Sequence, residues 1–187
     1  LSYVFCRLCK HLSENDVKLY DLNCFRKVLA SKNLTFNSEK RRNPIDLLIF
    51  LLDVLNDELN RIKYRKQKSI FNNSDKKSVI ENGIIFFKNS YDSVISNNLN
   101  WFGIRESTCM QCYRKTYNLS TFNTYEFDII KTSNFTRKVS NITVNDCISF
   151  DSFEKEIYWK CNYCNQKANM KITSSIYKSP NIFIFLI

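Results

Sequence analysis

Apolar positions fall at helical steps through the first third of the chain and then close up into short, dense runs. Tyr3, Val4, Phe5, Leu8 and Leu12 have the spacing of one helix face, and Leu19, Leu22, Phe25, Val28 and Leu29 predict a second helix over Val17 to Ala30. The strongest periodicity follows. Asn43 is placed to cap a helix, Pro44 suits its first position, and Asp46 stands where a carboxylate meets free backbone N–H groups. Ile45, Leu48, Leu52, Leu55, Leu59 and Ile62 step along this spine helix, and Leu47, Phe50, Leu51 and Val54 widen its stripe to most of the circumference. Leaving such a face in water would cost roughly 1.5–3 kcal/mol per large side chain, so it is expected to be buried on most sides.

The basic run Arg61 to Lys68 reads as the solvated end of the spine, and the polar stretch Phe71 to Lys77 as a loop or boundary. Beyond it, Ile84 to Phe87 and Trp101 to Ile104 are predicted strands, the second leading into Cys109. Tyr125, Phe127 and Ile129 alternate within a β-type segment from Tyr117 to Ile130. Thr143 and Asp146 have the spacing of a capping box, opening a short helix with Val144, Cys147, Ile148 and Phe150 inward. Lys171 to Tyr177 and Asn181 to Ile187 complete the strands, broken at Pro180. The chain is therefore expected to be α+β, with a helical region over residues 1–70 and a β-rich region over 71–187. It begins at Leu1 inside an apolar pattern and ends inside a strand-like run, as a portion of a longer protein would.

Composition narrows the picture less. The 187 residues are 44% hydrophobic and 14% aromatic, which supports a packed core and argues against disorder. A net charge of +10 could suit nucleic acid, but it is spread along the chain, and codons rich in A and T would by themselves supply the Lys, Asn, Ile, Phe and Tyr. Nucleic acid is not the expected partner. The longest apolar run of the first half, Leu47 to Leu52, is far too short to span a bilayer, and no membrane or secretory segment stands out.

Cysteine spacing changes the picture most. Cys109-Met110-Gln111-Cys112 and Cys161-Asn162-Tyr163-Cys164 are two C-x-x-C knuckles separated by the 48 residues Tyr113 to Lys160. Each offers two thiolates from a tight turn, and together they offer the tetrahedral sulfur set of one structural zinc ion. A redox C-x-x-C would need one pair at a helix start, not two matched pairs. Cys6 and Cys9 form a third C-x-x-C, and with His11 and Cys24 they could hold a second metal; their apolar neighbours instead predict core positions, as for Cys147. Thiols unclaimed by a disulfide framework fit a reducing, intracellular setting, cytoplasm or nucleus.

The stretch Phe102 to Cys112, with Gly103 and the first knuckle, followed by Tyr125-Glu126-Phe127-Asp128-Ile129-Ile130, resembles the fingers of ubiquitin-specific proteases. Thr143 to Ile148 is similar to that family's short helix before the second knuckle, and Pro180 to Leu186 to the strand leading to its Arg-Phe element. Arg41-Arg42-Asn43-Pro44-Ile45-Asp46 occupies the place of its Gln-Gln-Asp helix, with Arg, Arg and Asn where the family has Gln, Gln and Asp. The resemblance implies a papain-like fold with a helical thumb-like part, zinc-stapled fingers and the start of a palm sheet. It implies ubiquitin or a ubiquitinated protein as partner, together with the remainder of the parent protein or complex subunits.

The family's nucleophile box and His box both lie outside this stretch, so no catalytic residue is expected here. His11 is the single histidine, and no phosphate loop, paired acid–base carboxylates or serine-nucleophile motif accompanies it. Three functions follow: the grip of a thiol deubiquitinase, a catalytically inactive relative serving as a ubiquitin-binding scaffold, or a basic zinc ribbon on nucleic acid.

Overall fold

The computed structural model describes residues 1–14, 22–37, 43–64, 75–138 and 140–187. They form two compact units, Leu1–Arg61 with Ser93–Ile95, and Ile62–Asp92 with Ser96–Ile187.

In the first unit α1 (Ser2–Ser13), α2 (Asn23–Lys32), a 3-10 turn (Leu34–Asn37) and α3 (Pro44–Glu58) pack around Leu8, Phe25 and Leu29. Val4, Phe5, Leu47, Phe50 and Leu51 close this small core from its sides. The Glu58 carboxylate ties the ends together, accepting the Ser2 N–H at 2.7 Å and pairing with Lys32 at 2.9 Å. The spine helix starts as its sequence requires: Asn43 caps it by accepting the Ile45 N–H at 3.0 Å, with Pro44 in the first turn.

Its burial falls short of the expectation. Only Leu52 and Leu55 are buried, the remaining apolar positions are half-buried, and the helix ends at Glu58, leaving Leu59 exposed and Ile62 beyond it. The two helices and the 3-10 turn described beside it do not supply enough surface to surround a stripe that wide. Leu22, expected inward, is exposed as well, as are Tyr3 and Leu12 of the α1 pattern. The expectation that Cys6, Cys9 and Cys24 are core residues is also wrong: all three are exposed. At about 100° per residue, Cys6 lies roughly 160° round α1 from buried Leu8, on its solvent side. Val17, Leu19, Arg41, Arg42, the second half of the basic run and residues 71–74 lie outside the described residues.

In the second unit α4 (Lys76–Lys88) and the larger part of α5 (Val94–Leu99), whose first two residues are assigned to the first unit, precede β1 (Trp101–Cys109), β2 (Lys115–Phe122), β3 (Tyr125–Glu126), α6 (Ile129–Thr136), α7 (Val144–Ser152), β4 (Lys155–Lys160), β5 (Lys167–Lys178) and β6 (Phe185–Leu186). The main sheet has the order β2-β1-β5-β4, antiparallel throughout, and β3 pairs with β6 in parallel. Side chains alternate across the sheet. Phe102 and Ile104 of β1 and Leu119 of β2 turn to one side and meet Val79, Ile80 and Phe87 of α4. Gly83 lets α4 come this close, since a Cβ there would stand 2.6 Å from a Leu119 methyl group. Trp101 packs with Tyr125, Phe127 and Cys147 in a second core, burying Cys147 as expected.

Three predicted strands are corrected. Ile84 to Phe87 belongs to α4, because Asp75 caps a helix there (accepting the Lys77 and Ser78 N–H groups at 3.2 and 3.0 Å), and Val79, Ile80, Ile84 and Phe87 share one helical face. The segment Tyr117 to Ile130 divides, because Asp128 accepts the Lys131 N–H at 2.9 Å and turns Ile129 and Ile130 into the start of α6. Of Asn181 to Ile187 only Phe185 and Leu186 pair as a strand; Ile182 is instead held by the Asn98 carbonyl at 3.0 Å. The capping box of α7 forms as read, with Cys147 buried and Ile148 and Phe150 half-buried, although Val144 is exposed. No helix among the described residues is long and apolar enough to cross a membrane.

Candidate metal centre

The first knuckle is the turn between β1 and β2, and the second is the turn between β4 and β5. Because β1 and β5 are neighbours, with Cys109 opposite Met170, both turns arrive at the same end of the sheet.

The two turns are built alike. In each, the N–H four residues after the first cysteine returns to that cysteine's carbonyl: Tyr113 to Cys109 at 2.8 Å, Asn165 to Cys161 at 2.9 Å. In each, the first cysteine's own N–H donates to the carbonyl five residues on: Cys109 to Arg114 at 3.1 Å, Cys161 to Gln166 at 2.9 Å. Tyr113 and Asn165 occupy the equivalent position and share a left-handed φ of 58°, the twist that closes the loop. The first cysteine of each pair is buried and the second half-buried.

The sulfur positions fit one tetrahedral ion. All four lie within 4.8 Å of one another, with Cys109 to Cys164 at 4.0 Å and Cys112 to Cys161 at 3.8 Å. Four sulfurs at about 2.3 Å from a central zinc would be separated by about 3.8 Å, so the cluster is able to bind one metal ion with little movement. Ala168, Met170 and Ile172 shield it on one side, and the Arg114 guanidinium leaving the first knuckle lies 5.0 Å over the Tyr163 ring of the second.

Electrostatics point the same way. The backbone N–H groups of Cys164 and then Tyr163 draw the Cys161 thiol down to about 6. Cys112 moves the other way, to about 11: the Arg114 N–H favours its thiolate, but burial and the other three sulfurs outweigh it. Thiolates this close repel, so the set ionises fully only around a cation.

The four knuckle cysteines singled out from the sequence are thus brought together. Cys6, Cys9, Cys24 and His11 are not, and no second group of three or more such donors occurs among the described residues. The His11 ring stands 3.9 Å from the Glu14 carboxylate.

Sequence reasoning missed the open face of the sheet. Opposite α4, Gly103 and Arg105 of β1, Ser120 of β2 and Ser174 of β5 line a groove of about 370 Å³ that ends at Tyr125 and Asp151. Burial, and then the Asp151 carboxylate, push the Tyr125 phenol well above its ordinary value, so it stays a neutral donor. The alternation of small and polar residues with Phe102, Ile104 and Leu119 was the available signal.

No protein-family model matches the sequence, and no curated protein matches it. Solved structures do match in fold. The SAGA Ubp8/Sgf11/Sus1/Sgf73 DUB module bound to ubiquitin aldehyde aligns over 86% of this chain with a TM-score of 0.50 and 9% identity. A SAGA DUB module of Ubp8, Sgf11, Sus1 and Sgf73 bound to monoubiquitin aligns over 83% with a TM-score of 0.49 and 9% identity. The chain spans 30% and 29% of those two chains respectively. At that identity the likeness concerns fold alone: this chain folds like part of the chain it matches in the ubiquitin-aldehyde-bound DUB module.

Proposed function

We propose that this chain is the helical and finger portion of a ubiquitin-specific-protease-type protein, and that it grips ubiquitin. In this reading residues 1–70 form the thumb-like part, residues 71–187 form the fingers and the start of the palm, and Cys109, Cys112, Cys161 and Cys164 hold one structural zinc ion. The observation that carries it is the convergence of four sulfurs from two hairpin turns at one end of an antiparallel sheet. That arrangement belongs to the family the motifs resemble, and the fold likeness to a ubiquitin-bound DUB module supports it.

Ubiquitin would lie along the open sheet face, where small residues keep the floor shallow and Arg105 offers an exposed cation. Catalysis belongs to the nucleophile and base of the intact parent, which hydrolyses the bond at the ubiquitin C-terminus. The pairing of several lysines with carboxylates gives nucleic acid no added support as partner. Lys115, Lys131, Lys138, Lys155 and Lys171 each pair with a carboxylate between 2.6 and 3.7 Å. Nucleic-acid binding draws instead on clustered, available cations.

Titrating the metal-loaded chain with ubiquitin tests the reading. Saturable binding should disappear in a Cys112→Ser, Cys161→Ser double variant, whose sheet end is no longer fastened. Unchanged affinity in that variant, or steeply salt-dependent nucleic-acid binding with no ubiquitin affinity, would overturn it.

A further inference from the structure

The outer edge of β4 is built unlike the rest of the sheet. All six of its residues are exposed, with Ile157 at 44% and the adjacent Tyr158 and Trp159 both at 67%, although consecutive residues point to opposite faces. Its inner edge pairs with β5, while its outer edge pairs with no strand among the described residues. An open edge carrying large apolar groups on both faces is a template for another strand.

The sequence of β4 identifies which strand fits. Directly opposed residues of an antiparallel pair point to the same face, so a strand pairing with its own copy must be centred on a residue. Centred on Tyr158, Lys155–Lys160 sets Glu156 against Lys160 of the second copy at two symmetric positions, and Ile157 against Trp159 at two more. Centring on Ile157 puts Lys155 against Trp159 and Glu156 against Tyr158; centring on Trp159 puts Tyr158 against Lys160. Only the Tyr158 register matches opposite charges and apolar partners together.

Lys160 is open to such a partner. Across β5 it faces Lys167, a like charge, and no carboxylate among the described residues pairs with it. Glu156 faces Lys171, whose ammonium pairs with Glu154 at 2.8 Å and feels the Glu156 charge more weakly.

We propose that two copies of this chain associate antiparallel along β4 with Tyr158 at the two-fold axis, joining their four-stranded sheets into one. The contact is isologous and uses the edge of the sheet, so it does not depend on the ubiquitin reading.

Sedimentation of the full chain over a range of concentrations tests it. The parent chain should form a dimer. Lys160→Glu alone sets Glu against Glu at both symmetric positions, and Glu156→Lys alone sets Lys against Lys. Each should weaken the dimer roughly tenfold or more. An equimolar mixture of the two variants restores both opposite-charge pairs and should dimerise as well as the parent, which also shows that each variant is folded. A parent chain that stays monomeric, single variants that dimerise undiminished, or a mixture that stays monomeric would each overturn the proposal.

Discussion

The chain carries the same four-residue spacing of cysteines in two kinds of backbone, and the outcomes differ. In α1, Cys6 and Cys9 stand one turn apart on an exposed helix side, with no further donors gathered to them among the described residues. In the β1–β2 and β4–β5 turns the same spacing closes a loop, through a left-handed residue after the second cysteine and a carbonyl returned to the first. A helix ties up its N–H groups in its own ladder, whereas a knuckle can aim them at sulfur, as the Tyr163 N–H does toward Cys161 at 3.4 Å. The difference teaches that C-x-x-C acquires metal-site character from the turn that carries it and from a second turn brought alongside.

The largest expected effect follows from removing sulfur on either side of this comparison. Cys112→Ser with Cys161→Ser should release the metal and unfold the end of the sheet, since structural zinc supplies roughly 10–16 kcal/mol of apparent folding free energy in small zinc domains. Cys6→Ser with Cys9→Ser should change stability by no more than about 0.5 kcal/mol, as surface substitutions do. Thermal unfolding of both double variants, with metal content measured alongside, checks the contrast.

Thiol modification probes the same contrast without mutation. In the metal-loaded chain Cys6, Cys9 and Cys24 should alkylate first. The four knuckle thiols should follow only after a chelator is added, with Cys147 reacting on unfolding. Mass spectrometry of a time course reads the order, and early modification of Cys109 or Cys161 would contradict it.

Much of this contrast was legible in the sequence. The turn of each knuckle, the Asn43-Pro44 helix start and the Thr143/Asp146 box act through contacts within a few residues and form in the structure, while the matched spacing of the two knuckles was the signal that their four sulfurs converge. What failed turned on caps that were not read, such as Asp128, on helix facing, or on contacts at longer range. Ile84 to Phe87 suits a strand by composition, and only its relation to Asp75 and to Leu119 on β2 makes it helical. The exposure of Cys6 and Cys9 follows from the helix face set by Leu8 and Phe5, which apolar neighbours along the sequence conceal. The exposure of Tyr158 and Trp159 depends on β4 being an edge, and strand order is absent from local pattern.

A smaller effect is expected at α7, which carries Cys147, the one cysteine belonging to neither group. The Lys138 ammonium, and then the Thr143 N–H and hydroxyl, hold the Asp146 carboxyl down to about 2. A depressed carboxylate contributes stability above the ordinary range near pH 4, and that contribution is lost as pH falls through about 2. Asp146→Asn should therefore lower the melting temperature at pH 7, with the gap from the parent closing on acidification toward pH 2. A gap independent of pH would contradict this assignment.

The smallest effect separates the two knuckles from each other. The left-handed conformation costs an ordinary side chain about 1–2 kcal/mol, which asparagine largely avoids and glycine does not incur. Tyr113→Gly should therefore stabilise the first knuckle by about 1 kcal/mol, while Asn165→Gly should be nearly neutral. Equal responses in denaturant unfolding would show that the left-handed Tyr113 carries no more strain than the left-handed Asn165 and contradict this assignment.

X-ray absorption at the zinc edge, with metal stoichiometry on the same sample, tests the joined knuckles most directly. The account predicts one zinc per chain with four sulfur neighbours at about 2.3 Å, unchanged when Cys6, Cys9 and Cys24 are replaced by serine. A shell containing nitrogen or oxygen, or zinc lost with those three replacements and kept when Cys112 and Cys161 are replaced, would contradict it.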